Sequence, residues 1–250
     1  MQENKPNLFI VGSMKCGTTA LFQFLRRHPE ISGADPKEIH YFTMHQKRDE
    51  RWYLDHFDLT RSGKYFLEAS PTYFDLATDT SIPSRIRSFN DDSKIIILVR
   101  DPLRRSISHF HHLRTVNKIE GLQGLTFSNF IRRRWPRNCD YALLEQNLSF
   151  VFNFSYFHRK VENYVDIFGS DRVFLIENEK MDSDCPRTVN SLLKCLNLDP
   201  LPENSLNQKI FVGAKKEDED FLLNAVIFDE LFGADYRETL NNTRATRVNP

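Results

Sequence analysis

The chain has 250 residues, 40% of them apolar, which is enough to bury the core of one large domain. Its 34 lysine and arginine residues balance 34 aspartate and glutamate residues. No net positive field therefore favours nucleic acid, and any anion site must be built from a few placed cations. The longest apolar runs are far shorter than the roughly 20 residues of a membrane-spanning helix, so no membrane span is predicted.

A strand, a glycine-containing loop and a helix open the sequence. The β-branched, apolar residues 8–11 end at Gly12 and predict a strand, and residues 18–27 carry apolar side chains at helical spacing. The loop between them reads GSMKCGTT and contains Lys15. A turn at a helix N-terminus presents unpaired backbone N–H groups, and a nearby lysine adds charge, so this loop predicts a phosphate site.

The loop departs from the nucleoside triphosphatase pattern GxxxxGK[ST], in which a lysine directly precedes the serine or threonine that holds magnesium. Gly12 and Gly17 keep the glycine spacing, but Gly17 itself precedes Thr18, and the lysine lies upstream at position 15. The usual arrangement for a β,γ-phosphate and its metal is therefore absent. A metal-dependent nucleotide kinase is kept as the alternative function, and a nucleotide-binding module without catalysis as a third.

Further strands are predicted at residues 64–70, 95–99 and 171–179. The unbroken apolar run 95–99 is typical of a central strand buried on both faces. Strands that alternate with helices predict an α/β fold with a central parallel sheet flanked by helices, and we expect residues 1–250 to form a single domain. Residues 217–240 predict an amphipathic closing helix that packs on the core.

The strand 95–99 ends in Arg100 rather than in an aspartate placed to bind a metal, and Pro102 then opens a helix. Arg100 at the strand end and Ser108 two turns into the helix can converge on one phosphate, the arginine with a fork of donors and the serine with a hydroxyl. Cations at the ends of two strands favour a nucleotide with two separate phosphate groups, one at the Lys15 loop and one at Arg100.

The motifs GSMKCGTT, KEIHYF and RDPLRRSIS resemble those of the sulfotransferases that use 3′-phosphoadenosine 5′-phosphosulfate (PAPS), especially the Golgi heparan sulfate enzymes and their bacterial relatives. The resemblance covers residues 8 to about 198. It implies a P-loop-type nucleotide-binding fold and transfer of a sulfuryl group to an acceptor that is a carbohydrate or a small molecule. The acceptor group would be a hydroxyl, with an amine as the less favoured alternative. The reaction would leave 3′-phosphoadenosine 5′-phosphate (PAP) as product and would need no metal. The resemblance also implies the cofactor-binding residues: Lys15, Cys16, Gly17, Thr18 and Thr19 for the 5′-phosphosulfate, Arg100 and Ser108 for the 3′-phosphate, and Lys215 in FVGAKKE over the nucleotide.

The segment KEIHYF resembles the family's KExHFF, in which the glutamate is thought to take the proton from the acceptor hydroxyl. Glu38 matches that position, and we expect it to be partly buried among its apolar and aromatic neighbours and to act as general base. His40 is the alternative base, because an imidazole has a pKa near neutral pH. Lys15 would stabilise the charge that grows on the departing 5′-phosphate.

One position departs from the heparan-type pattern. Those enzymes have lysine in EKxxxYF, near the sulfate, whereas this chain reads EASPTYF with Ala69 there. The resemblance therefore supports sulfuryl transfer more than a glycosaminoglycan acceptor.

The cysteines and histidines predict neither zinc nor disulfides. Four cysteines without a CxxC pair are typical of a reduced cytoplasmic protein. The Golgi lumen is the alternative if an anchor precedes the given sequence. His109, His111 and His112 are close in sequence but lack a carboxylate or cysteine partner, so no metal site is expected there.

Overall fold

The computed structural model describes residues 4–206 and 221–249. Within these ranges one sheet contains six strands: β1 Leu8–Gly12, β2 Ile31–Gly33, β3 Tyr65–Ala69, β4 Lys94–Val99, β5 Val173–Glu177 and β6 Thr246–Arg247. They pair in the order β2-β3-β1-β4-β5-β6, and every neighbouring pair is parallel. The predicted α/β fold with a central parallel sheet flanked by helices is confirmed.

The helices differ widely in length, from four to fourteen residues. A π-helical turn at Asp229–Gly233 separates the last two of them. In chain order they are α1 Thr18–Leu25, α2 Glu50–Leu54, α3 Thr72–Asp75, α4 Ser81–Phe89, α5 Pro102–Thr115, α6 Phe127–Ile131, α7 Tyr141–Asn153, α8 His158–Phe168, α9 Asn178–Ser183, α10 Cys185–Cys195, α11 Glu203–Leu206, α12 Phe221–Phe228 and α13 Ala234–Asn242. No helix in the described ranges is both long enough and apolar enough to cross a membrane.

The chain forms two compact units. The sheet unit contains the six strands and comprises residues 4–99, 159–206 and 243–249 of the described chain. The helical unit comprises residues 100–158 and 221–242 and contains α5, α6, α7, α12 and α13. Each unit has its own apolar core, the first built on the strands and α1, the second on α5 and its aromatic neighbours.

The central strands are buried on both faces, as the apolar run 95–99 predicts. All residues of β1 and β3, and all of β4 after Lys94, are buried. The four predicted strands are confirmed, although the last, predicted at 171–179, is two residues shorter at each end and spans Val173–Glu177. The edge strands β2 and β6 have three and two residues, too few for a periodic pattern to reveal them.

The helix predicted after Pro102 is confirmed as α5, and its start has a local cause. Pro102 stands at the first helical position, where its missing N–H costs nothing. Oδ1 of Asp101 accepts a hydrogen bond from the amide of Arg104 at 2.9 Å and caps the helix. The strand β4, this cap and α5 therefore follow one another with no intervening loop residue except Arg100.

The predicted closing helix is confirmed over residues 221–242, which are helical without a break as α12, the π-helical turn at Asp229–Gly233, and α13. Residues 217–220 lie outside the described ranges. The expected amphipathic pattern is only partly present, because several apolar side chains of this helix are exposed. Leu222 is 83% exposed and Val226 is also exposed, whereas Phe228 is buried. The segment FLLNAVIF is apolar on nearly every side, so its sequence pattern does not define which face is buried.

Candidate functional site

The chain from the end of β1 to the start of α1 contains two positions that only glycine suits. Gly12 has a φ of 154°, and a Cβ there would lie 2.6 Å from the Cβ of Phe74 in α3. Gly17 has a φ of 93°, and a Cβ there would lie 2.7 Å from Nδ2 of Asn178 in α9. The loop can therefore pack its backbone closely against both helices because neither position carries a side chain.

The first residues of the loop are held by Asp75, the last residue of α3. The hydroxyl of Ser13 donates to Oδ1 of Asp75 at 2.6 Å, and the amide of Met14 donates to Oδ2 at 2.9 Å. Hydrogen bonds to an ionised carboxylate are among the strongest in proteins. Lys15 follows directly in the left-handed region, with a φ of 68°. Asp75 therefore fixes the backbone from which the predicted phosphate-binding lysine projects.

Helix α1 begins without a side-chain cap, because its N-cap residue is Gly17. The first N–H groups of a helix have no intrahelical acceptor and form the positive end of the helix dipole. This end therefore favours an anion. Lys15 and Thr19 are partly exposed beside it, whereas the side chain of Thr18 is buried.

Cys16 differs from the other loop residues predicted to bind the nucleotide. Its side chain is fully buried in the core of the sheet unit, and its amide donates to the carbonyl oxygen of Ser13 at 3.2 Å. The thiol thus has a packing role, and a nucleotide contact from this residue stays a prediction.

Asn178 lies next to the loop, although the sequence does not indicate it. It is 5% exposed, and its Oδ1 is buried without a hydrogen-bond partner among the described residues. A buried, unsatisfied amide oxygen is costly. The atom of this side chain that faces Gly17 is Nδ2, so Asn178 packs against the glycine turn.

The structure brings the two predicted bases side by side. Oε2 of Glu38 lies 3.8 Å from Nε2 of His40, and the other carboxylate oxygen forms an ion pair with Lys37. Glu38 is less buried than the sequence predicts, because 43% of its side chain is exposed. Its carboxylate is therefore open to a hydroxyl that approaches from solvent.

The imidazole of His40 is engaged at both ring nitrogens. Nδ1 lies 2.8 Å from the hydroxyl of Thr72, and Nε2 faces Glu38. Burial lowers the pKa of His40 below its usual value, the Glu38 carboxylate opposes that effect, and Lys37 adds to it. The ring is therefore neutral near pH 7.

His40 should make the stability of the protein depend on pH. Because its pKa is lower in the folded than in the unfolded chain, the unfolded state binds more protons. The free energy of unfolding should fall as pH decreases from about 6.5 toward the folded pKa. Chemical denaturation near pH 7.5 and near pH 5.5 should show a larger loss for the wild type than for His40→Gln. Equal losses in the two proteins would contradict this.

The residues predicted for the 3′-phosphate lie in the helical unit. Arg100 follows the last residue of β4, Ser108 lies within α5, and both are partly exposed. Arg105, the second arginine of RDPxxR, is fully buried instead: its Nε donates to the hydroxyl of Ser155 at 2.9 Å, and its Nη2 donates to the carbonyl oxygen of Val151. This arginine joins α5 to the end of α7.

Two further predictions concern Lys215 and the histidines of α5. Lys215 lies outside the described residues. His109 is buried with its ring stacked on Phe154, at 5.8 Å between ring centroids. Nowhere in the described part of the chain do three or more His, Cys, Asp or Glu side chains form a group that could hold a metal ion.

Comparison with known proteins identifies a family and relatives of this chain. Residues 5–216 match the sulfotransferase domain family. The chain is 30% identical over 184 residues to heparan sulfate glucosamine 3-O-sulfotransferase 3B1 of Mus musculus, an alignment that covers 72% of this chain and 43% of that protein. It is 36% identical over 109 residues to the membrane-associated sulfotransferase kil1 of Dictyostelium discoideum, covering 42% of this chain and 22% of that protein. The chain spans less than half the length of these curated relatives.

Solved structures share the fold. A sulfotransferase from Alicyclobacillus acidocaldarius matches with a TM-score of 0.73 at 24% identity, over 94% of each chain. The mouse sulfotransferase SULT7A1 in complex with PAP matches with a TM-score of 0.57 at 16% identity, over 96% of this chain and 86% of that one. At such identities the likeness concerns the fold alone, and the predicted P-loop-type fold is confirmed.

Proposed function

The chain belongs to the sulfotransferase family, and from that premise we propose that it transfers the sulfuryl group of PAPS to a hydroxyl of a carbohydrate or small-molecule acceptor. The observation that carries the proposal is the loop after β1. There Asp75 fixes the backbone at Ser13 and Met14, Lys15 adds a cation, and α1 starts without a side-chain cap.

PAPS would supply the sulfuryl group, whose bond to the 5′-phosphate oxygen breaks as a bond to the acceptor oxygen forms. The acceptor proton goes to the carboxylate of Glu38, and the products are the sulfated acceptor and PAP. The ammonium of Lys15 stabilises the negative charge that grows on the departing phosphate. Cation and base both belong to the sheet unit.

We assign the base role to Glu38 rather than to His40. The carboxylate is exposed, whereas both nitrogens of His40 already face partners, Thr72 and Glu38. A neutral imidazole 3.8 Å from the carboxylate can help to orient it. His40 remains the alternative base, because proton transfer at its Nε2 needs only a small displacement of Glu38.

Arg100 and Ser108 are proposed to bind the 3′-phosphate. A guanidinium offers parallel donors to two phosphate oxygens, and a hydroxyl supplies another donor. The acceptor is left broader than a glycosaminoglycan: Ala69, at the position where the heparan-type pattern has lysine, is fully buried in β3 and provides no cation.

Binding of PAP tests the two-phosphate proposal. In thermal-shift titrations, PAP should stabilise the protein at concentrations about tenfold or more below those needed for adenosine 5′-monophosphate, because only PAP carries the 3′-phosphate. ATP with magnesium should stabilise the protein less than PAP does, since the loop lacks the lysine position of a nucleoside triphosphatase. Equal stabilisation by PAP and the monophosphate would refute the two-phosphate site, and a preference for ATP with magnesium would favour the kinase.

The matched variant in this titration is Arg100→Ala. It should remove most of the preference for PAP over the monophosphate and leave binding of the monophosphate nearly unchanged, because the 5′-phosphate is assigned to the Lys15 loop. Arg104→Ala is the control, since Arg104 is an exposed arginine of α5 four residues away.

A further inference from the structure

A fully buried carboxylate lies beside the segment that carries Glu38 and His40. Glu68 of β3 has no exposed surface. Its Oε1 accepts hydrogen bonds from the hydroxyls of Ser70 and Tyr73, each at 2.7 Å, and its Oε2 accepts one from the hydroxyl of Tyr53. A carboxylate removed from water is costly unless it is hydrogen-bonded, and three hydroxyl donors offset that cost.

Two of these three hydroxyls also accept hydrogen bonds from the backbone of residues 38–42, which carry both proposed bases and are called the base segment below. The hydroxyl of Ser70 accepts a hydrogen bond from the amide of His40 at 3.0 Å. The hydroxyl of Tyr73 accepts one from the amide of Phe42 at 3.2 Å. A hydroxyl has one proton and two acceptor sites. Each of these hydroxyls can therefore donate its proton to Glu68 and still accept a hydrogen bond from a backbone amide on its oxygen. Chains of hydrogen bonds of this kind strengthen one another in a buried environment.

The segment needs such support because its backbone is strained. Glu38 and His40 have φ values of 70° and 56°, in the left-handed region that residues other than glycine adopt only in a few per cent of cases. Such conformations persist only where surrounding contacts hold them. The amides fixed by Ser70 and Tyr73 are those of His40 itself and of Phe42, two residues further on.

We propose that Glu68 is a positioning residue for sulfuryl transfer: through the hydroxyls of Ser70 and Tyr73 it holds the backbone that aims the Glu38 carboxylate and the His40 imidazole. The inference rests on the proposed function, in which one of those two groups is the base. Burial raises the pKa values of Tyr53 and Tyr73 well above the usual range, so both hydroxyls remain protonated and can donate.

Two tyrosine variants test whether Glu68 positions the base segment or only stabilises the folded protein. Tyr73→Phe and Tyr53→Phe each remove one hydrogen bond to Glu68, but only the Tyr73 hydroxyl also accepts from the base segment. With a hydroxyl acceptor found by screening phenols, alcohols and N-sulfated oligosaccharides, kcat for PAP release should fall about tenfold in Tyr73→Phe and at most about twofold in Tyr53→Phe. KM for PAPS should stay unchanged in both, because the Lys15 loop is held separately by Asp75. Equal losses of kcat in the two variants would overturn the positioning role.

Hydrogen exchange supplies a readout that does not depend on turnover. Amide exchange of residues 38–43 should quicken about tenfold in Tyr73→Phe and in Ser70→Ala, and much less in Tyr53→Phe. An equal increase in both tyrosine variants would overturn the proposal even if kcat differed. Retained stabilisation by PAP shows that each variant is folded. If the variants show the expected exchange pattern but the wild-type protein releases no PAP from PAPS with any acceptor, the proposed function fails while the hydrogen bonds from Glu68 through Ser70 and Tyr73 to residues 40 and 42 still hold that backbone.

Discussion

Replacing Lys15 by methionine is expected to lower kcat for sulfuryl transfer by about 10²–10³-fold. The charge on the 5′-phosphate is larger in the transition state than in bound PAPS, because the bridging oxygen gains the electron pair of the breaking bond. A fixed cation at this position therefore stabilises the transition state more than the ground state. KM for PAPS should rise by a smaller factor, since α1 and the loop amides still bind the phosphate. Steady-state release of PAP measures both quantities.

The control for this variant is Lys5→Met. Lys5 forms an ion pair with Glu50 in the same sheet unit, so its loss removes one positive charge without touching the loop. We expect its kcat to remain within about twofold of wild type, because a surface ion pair contributes roughly 0–1 kcal/mol. Turnover of Lys15→Met close to that of Lys5→Met would mean that the loop amides alone carry the transition-state charge.

Local patterns reveal those parts of the fold whose cause is local. The apolar run 95–99 predicts a doubly buried strand, and β4 is one. Pro102 predicts the start of α5. The two edge strands escape detection because two or three residues contain no measurable period. The buried face of α12 is not evident from the sequence, because a segment that is apolar all round leaves the direction of burial to tertiary packing.

The candidate site also contains residues that the sequence reveals and residues that it does not. The loop lysine, the base segment and the arginine after β4 can be found from motifs, because each motif is continuous in sequence. The residues that hold them cannot: Asp75 and Ser13 are 62 residues apart, and Ser70 and His40 are 30 apart. The only sequence signal for these contacts is the polar run that directly follows a strand in EASPTYF. At the carboxyl end of a parallel strand, such residues lie where α/β proteins build their sites.

Helix α3 therefore has a larger role than its four residues suggest. Thr72 contacts the imidazole of His40, Tyr73 binds the amide of Phe42, and Asp75 fixes Ser13 and Met14. One short helix thus holds both the proposed base segment and the proposed phosphosulfate loop within the sheet unit. Because both are hydrogen-bonded to the same element, their backbones are held relative to each other, as the proposed transfer requires of its base and its cation.

Replacing Glu38 by glutamine should lower kcat by about 10²–10⁴-fold, the range that general base catalysis contributes. Glutamine keeps the size of the side chain but cannot take the acceptor proton. Stabilisation by PAP should be unaffected, because the nucleotide is assigned to the Lys15 loop, Arg100 and Ser108. Turnover and thermal shift measured on the same preparation separate loss of the base from loss of the cofactor site.

The matched control is Glu50→Gln. Glu50 is a half-exposed glutamate paired with a lysine, as Glu38 is, so the control loses the same charge and the same kind of ion pair. Its kcat should stay near the wild-type value. If Glu38→Gln also keeps full turnover, the base is His40 or a group of the acceptor itself, and His40→Gln decides between them. Loss in the histidine variant alone would assign the proton to Nε2 of His40, and the carboxylate 3.8 Å away would then be the group that orients the ring.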